Sequence, residues 1–362
     1  MCVIGCVVLI GNDNNMNGLE YARCVGGIKL SDIELRPNYF EFDPVIYGQA
    51  NDIRINLEQH YHDIGIELGL ICHRRQILNY YPTVEFHVGE DGRIKVVKDG
   101  EEYDIADFCQ RFLYNKSLQE LVELSILDCV EESTLLSLEG GREHRLMVLF
   151  QIGGNYEVAM EMMRDLPELE RYGIVFTYHV DMPSDILEYI RARYGYRMLI
   201  RTTVQGSDIS SAWIAYGRTM DISYQYILKL HTKVSTEWRN HMMEPFRQDL
   251  DSKIEMFGRN DQLGMIGALR CLRIREQFPF CRKTLNELYG PRYVPFIAGT
   301  IFMSRRDVWD SIWMKCGRVI WNSLILPFYY VNTVFLLNSP VHALERIYGG
   351  ETMEMGLQMK VL

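Results

Sequence analysis

From residue 145 onward, apolar runs and helically spaced segments take turns along the chain. RLMVLFQIG (145–153) is followed by NYEVAMEMMRDLPELER (155–171), whose apolar positions recur at three and four, and then by the run YGIVFTYHV (172–180). DILEYIRARYG, YRMLIRTTV, DISSAWIAYGRTMDI and YQYILKLHT continue the order helix, strand, helix, strand as far as Thr232. Strands alternating with helices of about ten to fifteen residues predict right-handed crossovers and a largely parallel sheet. Ligands in such sheets lie beyond the carboxyl ends of the strands, which points to 206–208 and 231–233.

The earlier part of the chain is patterned differently. TVEFHV and RIKVV flank the acidic turn GEDG, and their alternation predicts a hairpin with Val84, Phe86 and Val88 facing Ile94 and Val96. Across 105–130 the apolar spacing predicts an amphipathic helix. The glycines and charges of LEGGREHR (138–145) mark a seam. We therefore expect a smaller mixed α+β unit over 1–140 with no assignable chemistry, a Rossmann-like α/β unit over 144–350, and a tail over 351–362. The opening MCVIGCVVLIG is short and lacks a cationic leader, so it reads as a first buried strand rather than a signal peptide. Residues 319–338 carry no charge over twenty positions, the length of a membrane span. Asn322, Ser323, Pro327, Asn332 and Asn338 interrupt them and favour a buried or surface-docking segment.

Composition narrows the class without fixing it. Of 362 residues, 48% are hydrophobic and 24% charged, the mixture of a globular protein. The formal charge of −10 argues against a nucleic-acid-coating role, which needs a surplus of Lys and Arg, while leaving room for local basic clusters. Nine cysteines with no CxxC spacing argue against a disulfide framework and a structural zinc site, and favour a reducing, cytoplasmic compartment with peripheral membrane association left open. His60 and His62 beside Asp63 form a His-x-His cluster, but no second cluster completes a metal set, and a surface helix is the favoured reading.

Three motifs stand in order between 205 and 246: Gly206-Ser207-Asp208, Lys229-Leu230-His231-Thr232-Lys233 and Trp238-Arg239. Together they resemble the rhamnan synthesis protein F family, in which Gly-x-Asp opens a helix and Lys-Leu-His-Thr-Lys closes a later strand before Trp-Arg. LGMIGAL (263–269), FIAGTIFMSRRDVW (296–309) and HALERIY (342–348) extend the resemblance over 146–350, leaving 1–140 outside it. Ser207 stands where that family more usually has Arg, and the VSTE gap before Trp238 is short. The resemblance implies a GT-A-like glycosyltransferase that moves a sugar, rhamnose being one candidate, from a dTDP- or UDP-sugar donor to a glycan acceptor in polysaccharide or glycoprotein glycan synthesis. The alternative is a non-catalytic carbohydrate-binding or structural assembly protein on the same fold.

Glycosyl transfer must neutralise the charge that builds on a leaving diphosphate. No Asp-x-Asp pair for a divalent cation closes the relevant strand; Lys229, His231 and Lys233 stand there instead. Alternation along a strand sends all three to one side. With Arg239 they are candidate diphosphate ligands for a metal-independent transfer, although a divalent cation stays open. His231 is also a catalytic candidate. Gly206 and Asp208 are candidate nucleotide-binding residues, Asp208 being equally suited to cap a helix. Gly299 and Arg305 mark the acceptor region. Asp307 is the candidate general base, with Glu237 and Asp310 as alternatives and helix capping as the competing reading.

Overall fold

The computed structural model of the chain describes residues 39–40, 44–54, 56–57, 70–71, 73–131, 144–153, 156–178, 182–195, 197–202, 208–232, 235–274, 279–325, 329–330 and 340–362. The predicted strand at 1–11, His60 and His62, most of the 138–145 seam, Gly206 and Lys233 lie outside them.

Helices α1 (Pro44–Ala50) and α2 (Arg74–Tyr80) precede an antiparallel sheet of β1 (Glu85–Val88), β2 (Ile94–Lys98) and β3 (Glu101–Asp104). Phe86 pairs with Val96 and Val88 with Ile94, the facing that alternation predicts. The single helix predicted over 105–130 is instead three elements. α3 (Ile105–Cys109) runs on as a π-helical turn to Tyr114, α4 (Leu118–Leu124) begins afresh, and β4 (Ile126–Glu131) is a strand. The break has a local cause. The Ser117 hydroxyl accepts from the Glu120 N–H at 3.2 Å while the Glu120 carboxylate accepts from the Ser117 N–H at 2.8 Å, a reciprocal capping box that starts a helix. Beyond it, pairing of β4 with the main sheet overrides helical spacing.

The alternating elements of the main unit follow in the expected order: β5 (His144–Ile152), α5 (Tyr156–Asp165), β6 (Gly173–Tyr178), α6 (Ser184–Arg193), β7 (Arg197–Thr202), α7 (Asp208–Arg218) and β8 (Tyr224–His231). Next come α8 (Thr236–Met243), α9 (Leu250–Arg259), β9 (Leu263–Gly267), α10 (Pro279–Tyr289), β10 (Phe302–Arg305), α11 (Arg306–Lys315), α12 (Gly317–Ile325), α13 (Pro340–Glu354) and β11 (Gln358–Val361). The eight-stranded sheet has the order β11-β9-β10-β8-β5-β6-β7-β4. β7, β6, β5 and β8 run parallel, whereas β4 and β10 oppose the strands beside them. From β5 the chain winds outward to β6 and β7, then returns past β5 to form β8. That reversal is the topological switch point of a doubly wound sheet, where a crevice opens at the carboxyl ends. Its edge strands come from outside 144–350: β4 precedes position 140 and β11 follows position 350.

β6 is buried along its whole length and β8 nearly so, as helices on both faces require. α7 is buried from Ile209 to Gly217, with Trp213 stacked on Tyr348 at 5.7 Å and tilted against Trp309 at 4.7 Å. α12, which covers the start of the uncharged 319–338 stretch, is buried from Ile320 to Ile325. Its terminal carbonyls accept hydrogen bonds from the N-terminal part of the chain, Gln76 Nε2 to Ile325 O at 3.1 Å and the Tyr80 hydroxyl to Leu324 O at 2.5 Å. No helix among the described residues is long and apolar enough to cross a membrane.

Candidate active site

The carboxyl half of β8 borders the switch point, and its alternation puts Lys229 and His231 on one face. Both meet Asp208, the first residue of α7. Lys229 Nζ donates to Asp208 Oδ2 at 2.6 Å, to Thr300 Oγ1 at 2.9 Å and to Thr300 O at 3.2 Å. The Thr300 hydroxyl donates to the same Asp208 oxygen, and His231 Nδ1 lies 3.5 Å from it. One carboxylate thus ties together the start of a helix, the end of a central strand and the turn leading into β10.

The electrostatics follow from burial. Lys229 has no exposed surface, His231 is 4% exposed and the Asp208 side chain 20%. Buried charges persist only when paired and hydrogen-bonded. Burial alone would raise the Asp208 carboxyl, but His231 and Lys229 beside it, with hydrogen bonds from Lys229 and Thr300, hold it well below the usual carboxylate range.

The Thr300 side of the network is strained. Gly299 has φ +84° and Thr300 φ +57°. A β-branched residue in the left-handed region costs about 1–2 kcal/mol, which here the two Thr300 oxygens offset by binding Lys229 and Asp208. Gly299 is required by contact as well, since a Cβ there would stand 2.3 Å from Met242 Sδ and 2.9 Å from Trp238 Nε1. The Gly299 N–H donates to Glu345 Oε1 at 2.6 Å, and Arg346 pairs with the same carboxylate while lying 4.4 Å over the Phe296 ring. Burial pushes the Glu345 carboxyl up, against the opposing pull of Arg346 and the Gly299 N–H. In the sequence nothing marks Thr300 or Glu345 beyond their lying inside FIAGTIF and HALERIY; only the long-range contacts single them out.

Several predicted site residues sit differently. Lys229, expected to meet a diphosphate, is buried with its Nζ directed at Asp208 Oδ2 and at the hydroxyl and carbonyl oxygens of Thr300. Arg239 is buried and donates to Glu161 Oε2 at 2.6 Å, tying α8 to α5. Arg305 and Asp307 are not brought to the switch point: β10 runs against β8, pairing Phe302 with Lys229 but Arg305 with Tyr226, so its carboxyl end lies at the opposite edge. There Arg305 donates to Leu263 O at 2.7 Å and Phe257 O at 3.0 Å, and Asp307 is exposed in the first turn of α11. Glu237 is exposed on α8, and Asp310 accepts from the Tyr216 hydroxyl and pairs with Arg306.

Beside His231 the first strand-to-helix turn is laced to the end of β8. Gln151 pairs with His231 in register, the Gly153 N–H donates to Thr232 Oγ1 at 2.7 Å, and the Thr232 N–H donates to Gln151 O at 3.1 Å. A Cβ on Gly153 would lie 2.8 Å from Thr232 Oγ1, so the close approach needs glycine. α5 begins three residues later, at Tyr156. A glycine turn opening a helix after the first strand of a doubly wound sheet is where phosphates approach backbone N–H groups. Among the described residues no group of His, Cys, Asp and Glu is placed to hold a metal ion.

No family model matches the chain, that of the rhamnan synthesis family included, and no curated protein matches it in sequence. Among solved structures it is similar to the Mn/GDP form of core-mannan synthase A from Aspergillus fumigatus, at 9% identity and a TM-score of 0.27, over 76% of this chain and 85% of that chain.

Proposed function

We propose that this chain is a glycosyltransferase with a GT-A-like, Rossmann-like sheet, taking its sugar from a dTDP- or UDP-sugar donor and passing it to a glycan. The observation that supports this reading is the gathering of Asp208, His231 and Thr300 at the switch point, next to the Gly153 turn and the start of α5. In this reading the turn and helix start take the donor phosphates. Gly206 and Asp208 border the nucleoside. His231 and Lys233 supply positive charge to the leaving diphosphate, the electrostatic term that dominates such a step. Lys229 serves as the counterion that keeps Asp208 ionised beside His231, and rhamnose is a candidate sugar.

A thermal-shift series with UDP, dTDP and their sugars tests this. A ligand at a hundred times its Kd stabilises the fold by about 2.7 kcal/mol, a rise of a few degrees in Tm. His231→Ala should abolish the rise. A Tm unmoved by every nucleotide at millimolar concentration would overturn the reading. It would favour a carbohydrate-binding or assembly module without catalysis, which the internal pairing of Lys229 and Arg239 also supports.

A further inference from the structure

Residues 269–274 leave the end of β9 as a 3₁₀ turn, Leu269–Cys271, and a short strand, Leu272–Arg273, paired with Phe296–Ile297. β9 and β8 both oppose β10 and so run parallel to each other, which puts this segment at the carboxyl edge that also carries His231. Its two arginines lie along one face of α8. Arg270 Nη1 is 3.1 Å from Nε2 and 3.3 Å from Nδ1 of His241, and the Arg273 guanidinium carbon lies 5.6 Å from the centre of the Trp238 ring. Trp238 and His241 are three residues apart on the helix, so they share a face with their Cβ atoms about 5–6 Å apart. The two guanidiniums are therefore neighbours. Arg273 is also fixed in direction, since its Nη1 donates to Arg270 O and to Leu272 O, both at 2.9 Å, while among the described residues its Nε and Nη2 donate to nothing.

Adjoining cations repel unless they share an anion. Among the described residues neither arginine pairs with a carboxylate. Glu237 meets only His241, at 3.8 Å, and is 89% exposed, while Glu345 is committed to the Gly299 N–H and Arg346. The spacing selects the occupant. A guanidinium fork matches phosphate or carboxylate oxygens, and two forks one helical turn apart suit two adjacent phosphoryl groups, whereas a single carboxylate fills only one. The position is not that of the donor phosphates. β8 and β10 stand between β5, which leads to the Gly153 turn, and β9, a separation of three strand spacings or about 14 Å. Trp238 leads instead to Gly299, expected in the acceptor region, because its Nε1 is an atom that a Cβ there would approach to 2.9 Å.

We infer that Arg270 and Arg273, on the Trp238 and His241 face of α8, bind a phosphate or diphosphate group carried by the acceptor. Assignment to the acceptor rests on the glycosyltransferase reading, whereas the anion site stands on the unpaired arginines alone. Leu269 and Ile274, 60% and 59% exposed, flank the pair, and a lipid-borne phosphate and a soluble one present it with the same group. Inorganic pyrophosphate is titrated into the full-length protein by calorimetry at constant ionic strength, with and without millimolar UDP. The wild type should bind it under both conditions. Arg270→Gln, which breaks no backbone contact, should weaken binding about tenfold, and the double variant Arg270→Gln, Arg273→Gln by more. Arg259→Gln, the same loss of charge on an exposed residue at the far end of β9, should leave binding unchanged. No binding by the wild type, equal binding by the double variant, or equal weakening by Arg259→Gln overturns the site. Binding that UDP abolishes overturns the acceptor assignment, since the donor then owns the arginines. An absent nucleotide-induced rise in Tm, with arginine-dependent pyrophosphate binding intact, overturns the transferase reading alone. Sedimentation with phosphatidylglycerol but not phosphatidylcholine vesicles, lost in the double variant, supports the site with a lipid-borne phosphate; pyrophosphate binding without sedimentation supports it with a soluble one.

Discussion

A lysine without exposed surface in a central strand is tolerable only while its counterion is in place. Removing one partner of a buried pair leaves an uncompensated charge, at a cost of about 3–5 kcal/mol. Asp208→Asn should therefore lower stability at pH 7 by about that much, measured by urea unfolding. The pH dependence has a definite sign. The Asp208 carboxyl is held below its unfolded value of about 3.9, so its stabilisation is fully present above about pH 4 and drains away as pH falls through the folded value. The gap between wild type and Asp208→Asn should narrow on acidification, and a constant gap from pH 7 to pH 2 would show that the carboxylate is not what stabilises Lys229. Part of this was legible beforehand: spacing of two placed Lys229 and His231 on one face. That Lys229 is sealed inside was not, because its other partner, Thr300, stands 71 positions along the chain and presents its oxygens from a strained turn.

At the scale of elements, periodicity carried the order β5 to β8 because each segment obeys one period throughout and each strand is covered on both faces. The 105–130 stretch misled for the converse reason. Its apolar spacing continues through Ser117, while the local signal of Ser followed three residues later by Glu restarts the helix. Replacing Ser117 with Ala should cost about 1 kcal/mol, the usual worth of an N-cap. The Ser117 N–H and hydroxyl hold the Glu120 carboxyl down to about 2. Its contribution is thus present above the unfolded value of about 4.3 and lost as pH falls toward 2. Glu120→Gln should flatten that part of the acid limb, followed by circular dichroism between pH 5 and pH 2; an acid limb identical to wild type would remove the capping box from the account.

At the scale of the whole molecule, the stretch 144–350 surrounds the switch point, but the packing does not stop at those limits. The hydrophobic core is continuous from Ile46 to Tyr348, β4 and β11 form the two edges of the main sheet, and Gln76 and Tyr80 close the carbonyl end of α12. α7 is buried on all sides from Ile209 to Gly217, and part of what covers it is Val122 of α4, which a Cβ on Gly217 would approach to 3.2 Å. A helix buried all round needs cover on every side. A fragment spanning 144–350 would bare that surface and leave β7 and β9 as unprotected edges open to pairing with other chains. It should therefore bind a hydrophobic dye and unfold over a broad range, whereas the full chain melts in a single cooperative step. A sharply cooperative, dye-free fragment would mean that the N-terminal elements are appended to the sheet and not built into it, and that the candidate active site is framed without them.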